Sequence, residues 1–342
     1  MKMDEVLKAF GLTNAKIEAF GTGLINRTWK VYAPGGNYIL QKINDHVFRQ
    51  PKDIAHNIRS IADHLQKNHP DYFFIAPVVA VDGNDLVFCK KEGWFRLMPF
   101  AENSITCDVV QTSAQAYEAA KQFGRFTRLL SDFDAKQLKV TIPQFHDLEL
   151  RYRQFGDALS NGDKERIREA KEIIVALQEQ KKIVDEYKSV IHNPQFKLRV
   201  THHDTKISNV LFDQNNKGLC VIDLDTVMPG YFISDVGDMM RTYLSPVSEE
   251  ENDFDKILVR SEFYKAIVEG YSDEMKDELT KVEKNYFLFA GKFMIYMQAL
   301  RFLTDYFNND VYYGAKYEGH NLVRAKNQAT LLQRLVETEV TA

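Results

Sequence analysis

Val200-Thr201-His202-His203-Asp204-Thr205-Lys206-Ile207-Ser208-Asn209, followed by Val221-Ile222-Asp223-Leu224-Asp225, is the stretch whose reading decides the fold. It runs as a strand, a polar turn, an apolar run, and a second β-rich run that ends in acids. Val210-Leu211-Phe212 and Leu219-Cys220-Val221-Ile222 are short apolar runs separated by Asp213-Gln214-Asn215-Asn216-Lys217-Gly218, a turn by composition. The expected hairpin brings Asn209 and Asp223 to one end, facing Asp204. Two carboxylates and an amide converging there form a hard oxygen site suited to Mg²⁺.

The order His-x-Asp-x-x-x-x-Asn, then an Asp flanked by apolar residues, is the order that kinase-type phosphotransfer needs. There the first Asp meets the acceptor hydroxyl, while the Asn and second Asp hold metal on the phosphates of ATP. A lone His-x-Asp is more often a capped turn. The complete set between strands points to phosphotransfer, with Asp204 as base and Asn209 and Asp223 as metal ligands.

Working outward, 342 residues allow two domains, or one large domain with a smaller lobe. A net charge of -4 gives no basic footprint for nucleic acid. Cys89, Cys107 and Cys220 lie far apart without ligand spacing, which predicts a reducing compartment and no structural zinc. Met1-Lys2-Met3-Asp4-Glu5 leads into no long apolar run, so no signal peptide and a cytoplasmic location are expected. The most apolar segment, 285–307, contains Lys292, Gln298, Arg301 and Asp305, which predicts a buried core helix rather than a membrane span.

The first hundred residues read as strands around one helix. A short helix over 4–10 precedes strands at 17–20, 29–33 and 38–43. Gly21 and Gly23 lie in the first turn, where glycine lets backbone N–H groups approach phosphates. Alternation puts Tyr38, Leu40 and Lys42 on one face of the third strand and Ile39, Gln41 and Ile43 on the other, so either Gln41 or Lys42 faces the nucleotide. The helix 51–67 buries Ile54, Ile58, Ile61 and Leu65. It offers no Glu to a lysine, only Asp53, Asn57 or Asp63. Strands are expected at 76–81 and 85–90. Trp94-Phe95-Arg96-Leu97-Met98-Pro99-Phe100 is either an edge strand ended by proline or the hinge that binds adenine through the backbone of Leu97, Met98 and Phe100.

From Asp108 the pattern turns helical. Asp147 is placed to cap a helix, and 163–190 reads as one long charged helix. Asp235 caps a later helix and Asp238 steadies the catalytic loop, both as structural roles. Helices follow at 254–271 and 277–307. Arg301, inside the last apolar run, needs a partner, either Asp305 one turn on or a ligand hydroxyl. Tyr312, Tyr313, Tyr317 and His320 cluster before the final helix.

These motifs resemble the aminoglycoside phosphotransferase and choline kinase superfamily, and within it the N-acetylhexosamine 1-kinases. The likeness runs through Gly21-x-Gly23-x-Ile25-Asn26-x-Thr28, Tyr38-Ile39-Leu40-Gln41, Thr201-His202-x-Asp204-Thr205-Lys206-x-x-Asn209, Ile222-Asp223-Leu224-Asp225-Thr226-x-Met228-Pro229-Gly230 and Asp235-x-Gly237-Asp238. It continues in Arg301-Phe302-Leu303-x-Asp305-Tyr306, Asp310-x-Tyr312 and Lys316-Tyr317-x-x-His320. The resemblance implies an α+β, two-lobed protein-kinase-like fold. A small antiparallel N-lobe (1–100) carries the nucleotide contacts Gly21, Gly23, Asn26, Thr28, Gln41, Lys42, Leu97, Met98 and Phe100. A mainly helical C-lobe (101–342) carries the catalytic hairpin and the sugar. ATP and Mg²⁺ are the implied cofactors, and the anomeric hydroxyl of a free N-acetylhexosamine the acceptor. Arg301 and Tyr312 would meet the sugar. Leu24 and Thr242 stand where relatives carry His and an aromatic, which predicts a shifted sugar preference. A kinase for another small acceptor (an aminoglycoside, choline or another sugar) and a metal-dependent hydrolase are the alternatives.

Overall fold

The computed structural model describes residues 2–21 and 25–341. Its N-terminal lobe is a five-stranded antiparallel sheet in the order β1-β2-β3-β5-β4, from β1 (Lys16–Ala19), β2 (Arg27–Ala33), β3 (Gly36–Lys42), β4 (Val87–Cys89) and β5 (Gly93–Pro99). Period-2 alternation gives each strand two unlike faces. One face buries Val31, Leu40, Phe95 and Leu97 against Val6, Leu7 and Phe10 of and beside α1 (Lys2–Ala9). The other turns toward the C-lobe and carries Thr28, Gln41 and Arg96, which stand opposite one another in register across β2, β3 and β5. The helix α2 (Pro51–Asn68) begins with Pro51 in its first turn and buries Ile54, Ile58, Ile61 and Leu65, as the periodicity predicts.

The segment 76–81 is not a strand of this sheet. It runs extended beside β5 with one bond into it, Val78 N–H to the Leu97 carbonyl at 2.8 Å. Pro77 has no N–H to continue a ladder.

The C-lobe is helical: α3 (Ser113–Leu129), α4 (Leu148–Asn161), α5 (Lys164–Glu169), α6 (Lys171–Glu179) and α7 (Lys182–His192) precede two short strand pairs. Asp147 caps α4 as expected, accepting from Leu150 N–H at 2.9 Å. The single helix expected over 163–190 is three. The breaks, at Ala170 and at Gln180-Lys181, re-aim successive apolar faces. Ile173 and Leu177 of α6 and Ile183, Val184, Tyr187 and Val190 of α7 each reach the core, which a straight helix could not achieve.

The strand segment that follows comprises β6 (Arg199–Thr201), β7 (Val210–Phe212), β8 (Gly218–Val221) and β9 (Met228–Gly230). β7 pairs with β8 and β6 with β9, all antiparallel. Behind them stand α8 (Phe232–Tyr243), α9 (Ser261–Met275), α10 (Phe287–Phe307) and α11 (His320–Thr341). α9 and α10 begin later than the sequence suggested, after 3₁₀ turns at Phe254–Lys256 and Glu283–Asn285. α10 is buried on nearly every side and forms the axis of the lobe. Close packing against α8 depends on Gly237, where a Cβ would lie 2.3 Å from the Ala290 carbonyl oxygen. Among the described residues no helix is long and apolar enough to cross a membrane.

Candidate active site

β6 leads into a loop that α8 holds from behind. Asp235 and Asp238, three residues apart, share one helix face. The Asp235 carboxylate accepts His202 N–H at 3.0 Å and His203 N–H at 2.7 Å. Asp238 accepts Thr205 N–H at 2.8 Å and Arg241 Nε–H at 3.0 Å. Asp235 therefore does not cap its own helix; it lies inside α8 and clamps the loop. Asp238 steadies that loop as the sequence suggested. Burial raises the pKa of both carboxylates, against the N–H donors and Arg241 that favour their charged forms.

The loop is held further by its own side chains. His202 donates Nε2–H to the Ile222 carbonyl at 2.9 Å, which leaves Nδ1 to accept Asp204 N–H at 3.3 Å. Asn209 donates its amide to the Asp204 carbonyl at 2.8 Å. His203 takes a left-handed φ of 65°, a conformation costly for a residue with a Cβ and one that clusters at functional sites. The ring packs over Gly230, where a Cβ would lie 2.5 Å from it.

The predicted hairpin forms. Val210 opposes Val221, and Ile222 N–H donates to the Asn209 carbonyl at 2.8 Å, so Asn209 and Asp223 emerge at the same end. Asp223, also left-handed at φ 59°, sits in the cleft, where solvent reaches its side chain although protein surrounds it. That surrounding, with Asp225 and Asp204 nearby, raises its pKa, while Arg96 and Lys206 oppose the rise. Lys206 Nζ lies 3.2 Å from Asp204 Oδ2. Crowded carboxylates beside a free amide oxygen fit a divalent cation: Asn209 spends its nitrogen on Asp204, which leaves Oδ1 as its ligand atom.

The N-lobe residues separate into two groups. Thr28, Gln41 and Asn26 come together: Gln41 donates to Thr28 Oγ1 at 3.3 Å, and Asn26 donates to Asp225 Oδ2 at 2.6 Å. Lys42 does not join them. It lies on the opposite face with Glu92 at 3.4 Å, so it is the Gln41 face that meets the C-lobe, through Arg96 and Asp225. The cation on this face of the sheet is instead Arg96, almost fully buried on β5. It donates Nε–H to Gln41 at 2.9 Å and ion-pairs with Asp225. Among the described residues no acid of α2 meets a lysine; Asp63 lies 3.9 Å from Arg59. Asn57 binds the Lys139 backbone and the Val227 carbonyl, joining α2 to the segment after Asp223. Sequence reading missed Arg96; the one signal was a charged residue inside the apolar strand 94–99.

Of the expected hinge groups, Phe100 N–H is taken by the Asn37 carbonyl at 2.9 Å and the Leu97 carbonyl by Val78. Met98 faces Ile39 in the sheet register. Phe100 packs edge-on to Phe20, 5.9 Å between ring centres. Gly21 takes φ 75°, as its turn requires. Gly23 and Leu24 lie outside the described residues.

At the acceptor end, Arg301 does not pair with Asp305. Asp305 accepts Tyr312 and Tyr313 N–H, both at 2.8 Å, and the Asn321 amide. Arg301 donates to Gln298 at 3.2 Å and to the Tyr312 hydroxyl at 3.4 Å, with its guanidinium 5.7 Å from the Phe145 ring centre. Phe145 stacks on His146 at 4.4 Å, and His146 Nδ1 lies 3.3 Å from His203 Nδ1, next to Asp204. Thr242 donates its hydroxyl to the Asp238 carbonyl at 2.8 Å, so that hydroxyl is engaged within α8. Sequence reading gave no role to Phe145 and His146.

Residues 16–277 match the sequence family described as the phosphotransferase enzyme family. The chain belongs to that family. Solved structures agree on the fold. A spectinomycin phosphotransferase bound to ADP and spectinomycin is 14% identical, with TM-score 0.60 over 98% of this chain and 97% of that one. A microcompartment-associated aminopropanol kinase is 17% identical, with TM-score 0.65 over 98% and 97%. A choline kinase from Cryptosporidium parvum is 13% identical, with TM-score 0.55 over 96% and 90%. The two-lobed α+β architecture expected from the motifs is thus the fold of small-molecule kinases, and this chain is a phosphotransferase of the aminoglycoside phosphotransferase and choline kinase superfamily.

Proposed function

We propose that this phosphotransferase transfers the γ-phosphoryl group of ATP to the anomeric hydroxyl of a free N-acetylhexosamine, with Mg²⁺ held by Asn209 and Asp223. Asp204 accepts the O1 proton as the O1–P bond forms and the bond to the β–γ bridging oxygen breaks, leaving ADP and the sugar 1-phosphate. Bound metal supplies charge neutralisation on the phosphates. Thr28, Gln41 and Arg96 line the lobe facing the nucleotide, with Asn26 holding Asp225 beside Asp223.

The observation that carries the acceptor assignment is the pair Arg301 and Tyr312, connected through Phe145 and His146 to the loop of Asp204. An arginine without a carboxylate partner suits sugar hydroxyls and repels a cation. Two unit charges about 4 Å apart repel by about 4 kcal/mol at a protein-surface dielectric near 20. Spectinomycin and choline are amines or ammonium ions; a neutral N-acetylated sugar avoids that repulsion. The motifs from Arg301 to His320 support the same acceptor.

An ADP-release assay over free hexosamines, hexoses, choline and aminoglycosides, with phosphorus NMR of the product, tests the proposal. A 1-phosphate signal from N-acetylglucosamine or N-acetylgalactosamine is expected. A 6-phosphate, or turnover with cationic acceptors alone, would overturn it.

A further inference from the structure

Beside Arg301 a groove of about 410 Å³ runs between α4 and α10, under the loop that carries Tyr312 and Tyr313. That volume falls in the range of small-ligand sites. Arg151 and Thr304 line it with Arg301, and Asn161 and Asn308 close its far end. Among the described residues neither Arg151 nor Arg301 has a carboxylate partner. Arg151 bonds only neutral oxygens: Gln154 at 2.9 Å and the Gln144 and Phe145 carbonyls at 3.0 and 3.3 Å. Its Nε and the Thr304 hydroxyl are buried without a protein partner. Asp305 lines the groove, but its carboxylate is occupied by the two tyrosine N–H groups and Asn321. Asp157 is exposed, two turns of α4 from Arg151.

Neither guanidinium of this half-buried pair is in contact with a carboxylate among the described residues, although Asp147 acts on Arg151 from nearby, so N–H donors remain for an incoming anion. The field they make is felt nearby. His146 is held far below the ordinary histidine pKa by burial first and His203 next, with Arg301, Arg241 and Arg151 adding to both. Arg241 and Arg324 share Glu249, which accepts from Arg241 at 2.7 Å and ion-pairs with Arg324, and Arg241 also binds Asp238; among the described residues Arg151 and Arg301 touch no carboxylate. Arg301 is already the group assigned to the acceptor, so the groove is continuous with the acceptor site. Arginine pairs of this kind suit carboxylate and phosphate oxygens through paired N–H donors.

We infer that the groove takes an acidic substituent of the acceptor, so that the preferred substrate is a hexosamine bearing a carboxylate or phosphate away from its anomeric hydroxyl. The inference rests on the sugar kinase reading above. Arg151 is the specificity residue: it meets the acidic group and takes no part in phosphoryl transfer.

The test compares kcat/KM of the full-length enzyme for N-acetylglucosamine, its 3-O-lactyl ether and its 6-phosphate, with MgATP in excess. At least one acidic sugar is expected to exceed the neutral one by roughly 10-fold or more, mostly through KM, because a charge-assisted hydrogen bond is worth about that factor or more. Arg151→Gln should erase that preference, Arg151→Lys should restore part of it, and added salt should weaken it. Inorganic phosphate should compete with the acidic sugar. Equal kcat/KM for neutral and acidic sugars, or a preference that survives Arg151→Gln, overturns the inference while leaving the sugar kinase reading intact. Phosphate binding that depends on Arg151 without any preference among acceptors marks a free-anion site and also overturns it. Turnover of none of the three sugars overturns the inference, and if N-acetylgalactosamine is not turned over either, the sugar kinase reading falls with it.

Discussion

Replacing Arg96 by Met tests whether the buried cation of β5 organises the cleft. Arg96 and Asp225 are each only 3% exposed at the side chain, so neither charge has water to fall back on. Arg96→Met leaves the Asp225 carboxylate with the Asn26 amide as its remaining donor and deprives Gln41 Oε1 of its partner. Breaking a buried ion pair from one side costs about 3–5 kcal/mol, and the surviving Asn26 bond argues for the lower end. The Asp225→Asn change costs a similar amount by stranding the guanidinium. In the double variant no uncompensated charge remains, so it should lose about 2 kcal/mol less than the sum of the singles, within the usual range of coupling between contacting residues. Urea denaturation at 25 °C measures all four corners of the cycle, and steady-state kinetics on the same samples reads the cleft. kcat should fall in each single variant, because Asp225 fixes the turn that presents Asp223. Additivity within about 0.5 kcal/mol, or an Arg96→Met cost below about 1 kcal/mol, would refute the reasoning.

Four further outcomes are expected. Asp204→Asn should lower kcat by roughly 10²- to 10⁴-fold, with nucleotide affinity from calorimetry nearly unchanged; lost affinity with kcat intact would assign the wrong acid. Asp223→Ala should keep the fold by circular dichroism yet raise the Mg²⁺ concentration for half-maximal rate by at least about tenfold, since a hard cation loses one of its charged ligands. Burial holds the His203 pKa at about 3, below the ordinary value of 6.5. The native state therefore stays neutral while the unfolded chain binds a proton below about pH 6.5. The stability that His203 contributes is full above that pH and falls toward pH 3, so between pH 7 and 5 the wild type should lose about 2 kcal/mol more than His203→Gln, which cannot titrate. Parallel stability curves for the two proteins would contradict this. Gly230→Ala sets a methyl 2.5 Å from the His203 ring and 3.0 Å from Thr201 Cβ, and should cost about 1–3 kcal/mol by overpacking while slowing turnover.

The sequence by itself determined the parts whose signals are local. The apolar runs at 210–212 and 219–222, with six turn residues between them, specify a hairpin whatever surrounds it, and with it the placing of Asn209 beside Asp223. The stripe from Ile54 to Leu65 and the cap at Asp147 were legible for the same reason: each depends on neighbours within a few residues. Helix breaks were not legible in 163–190, because the segment contains neither glycine nor proline; the core it wraps, and not its own pattern, decides where it bends. Tertiary structure alone decided the polar framework. Strand alternation sorted Gln41 from Lys42 without saying which face meets the C-lobe; pairing with Arg96 on β5 does. Arg96 meets Asp225 across 129 residues and Asn26 meets it across 199. Asp235 reads locally as a helix cap, yet its oxygens are claimed by the His202 and His203 backbone, 33 and 32 residues away. Arg301 reads locally as the partner of Asp305, but the chain reverses after α10 and brings the Tyr312 and Tyr313 N–H groups to that carboxylate first. A buried polar group takes whichever partner folding brings within about 3 Å, and a partner distant in sequence leaves no periodicity to read.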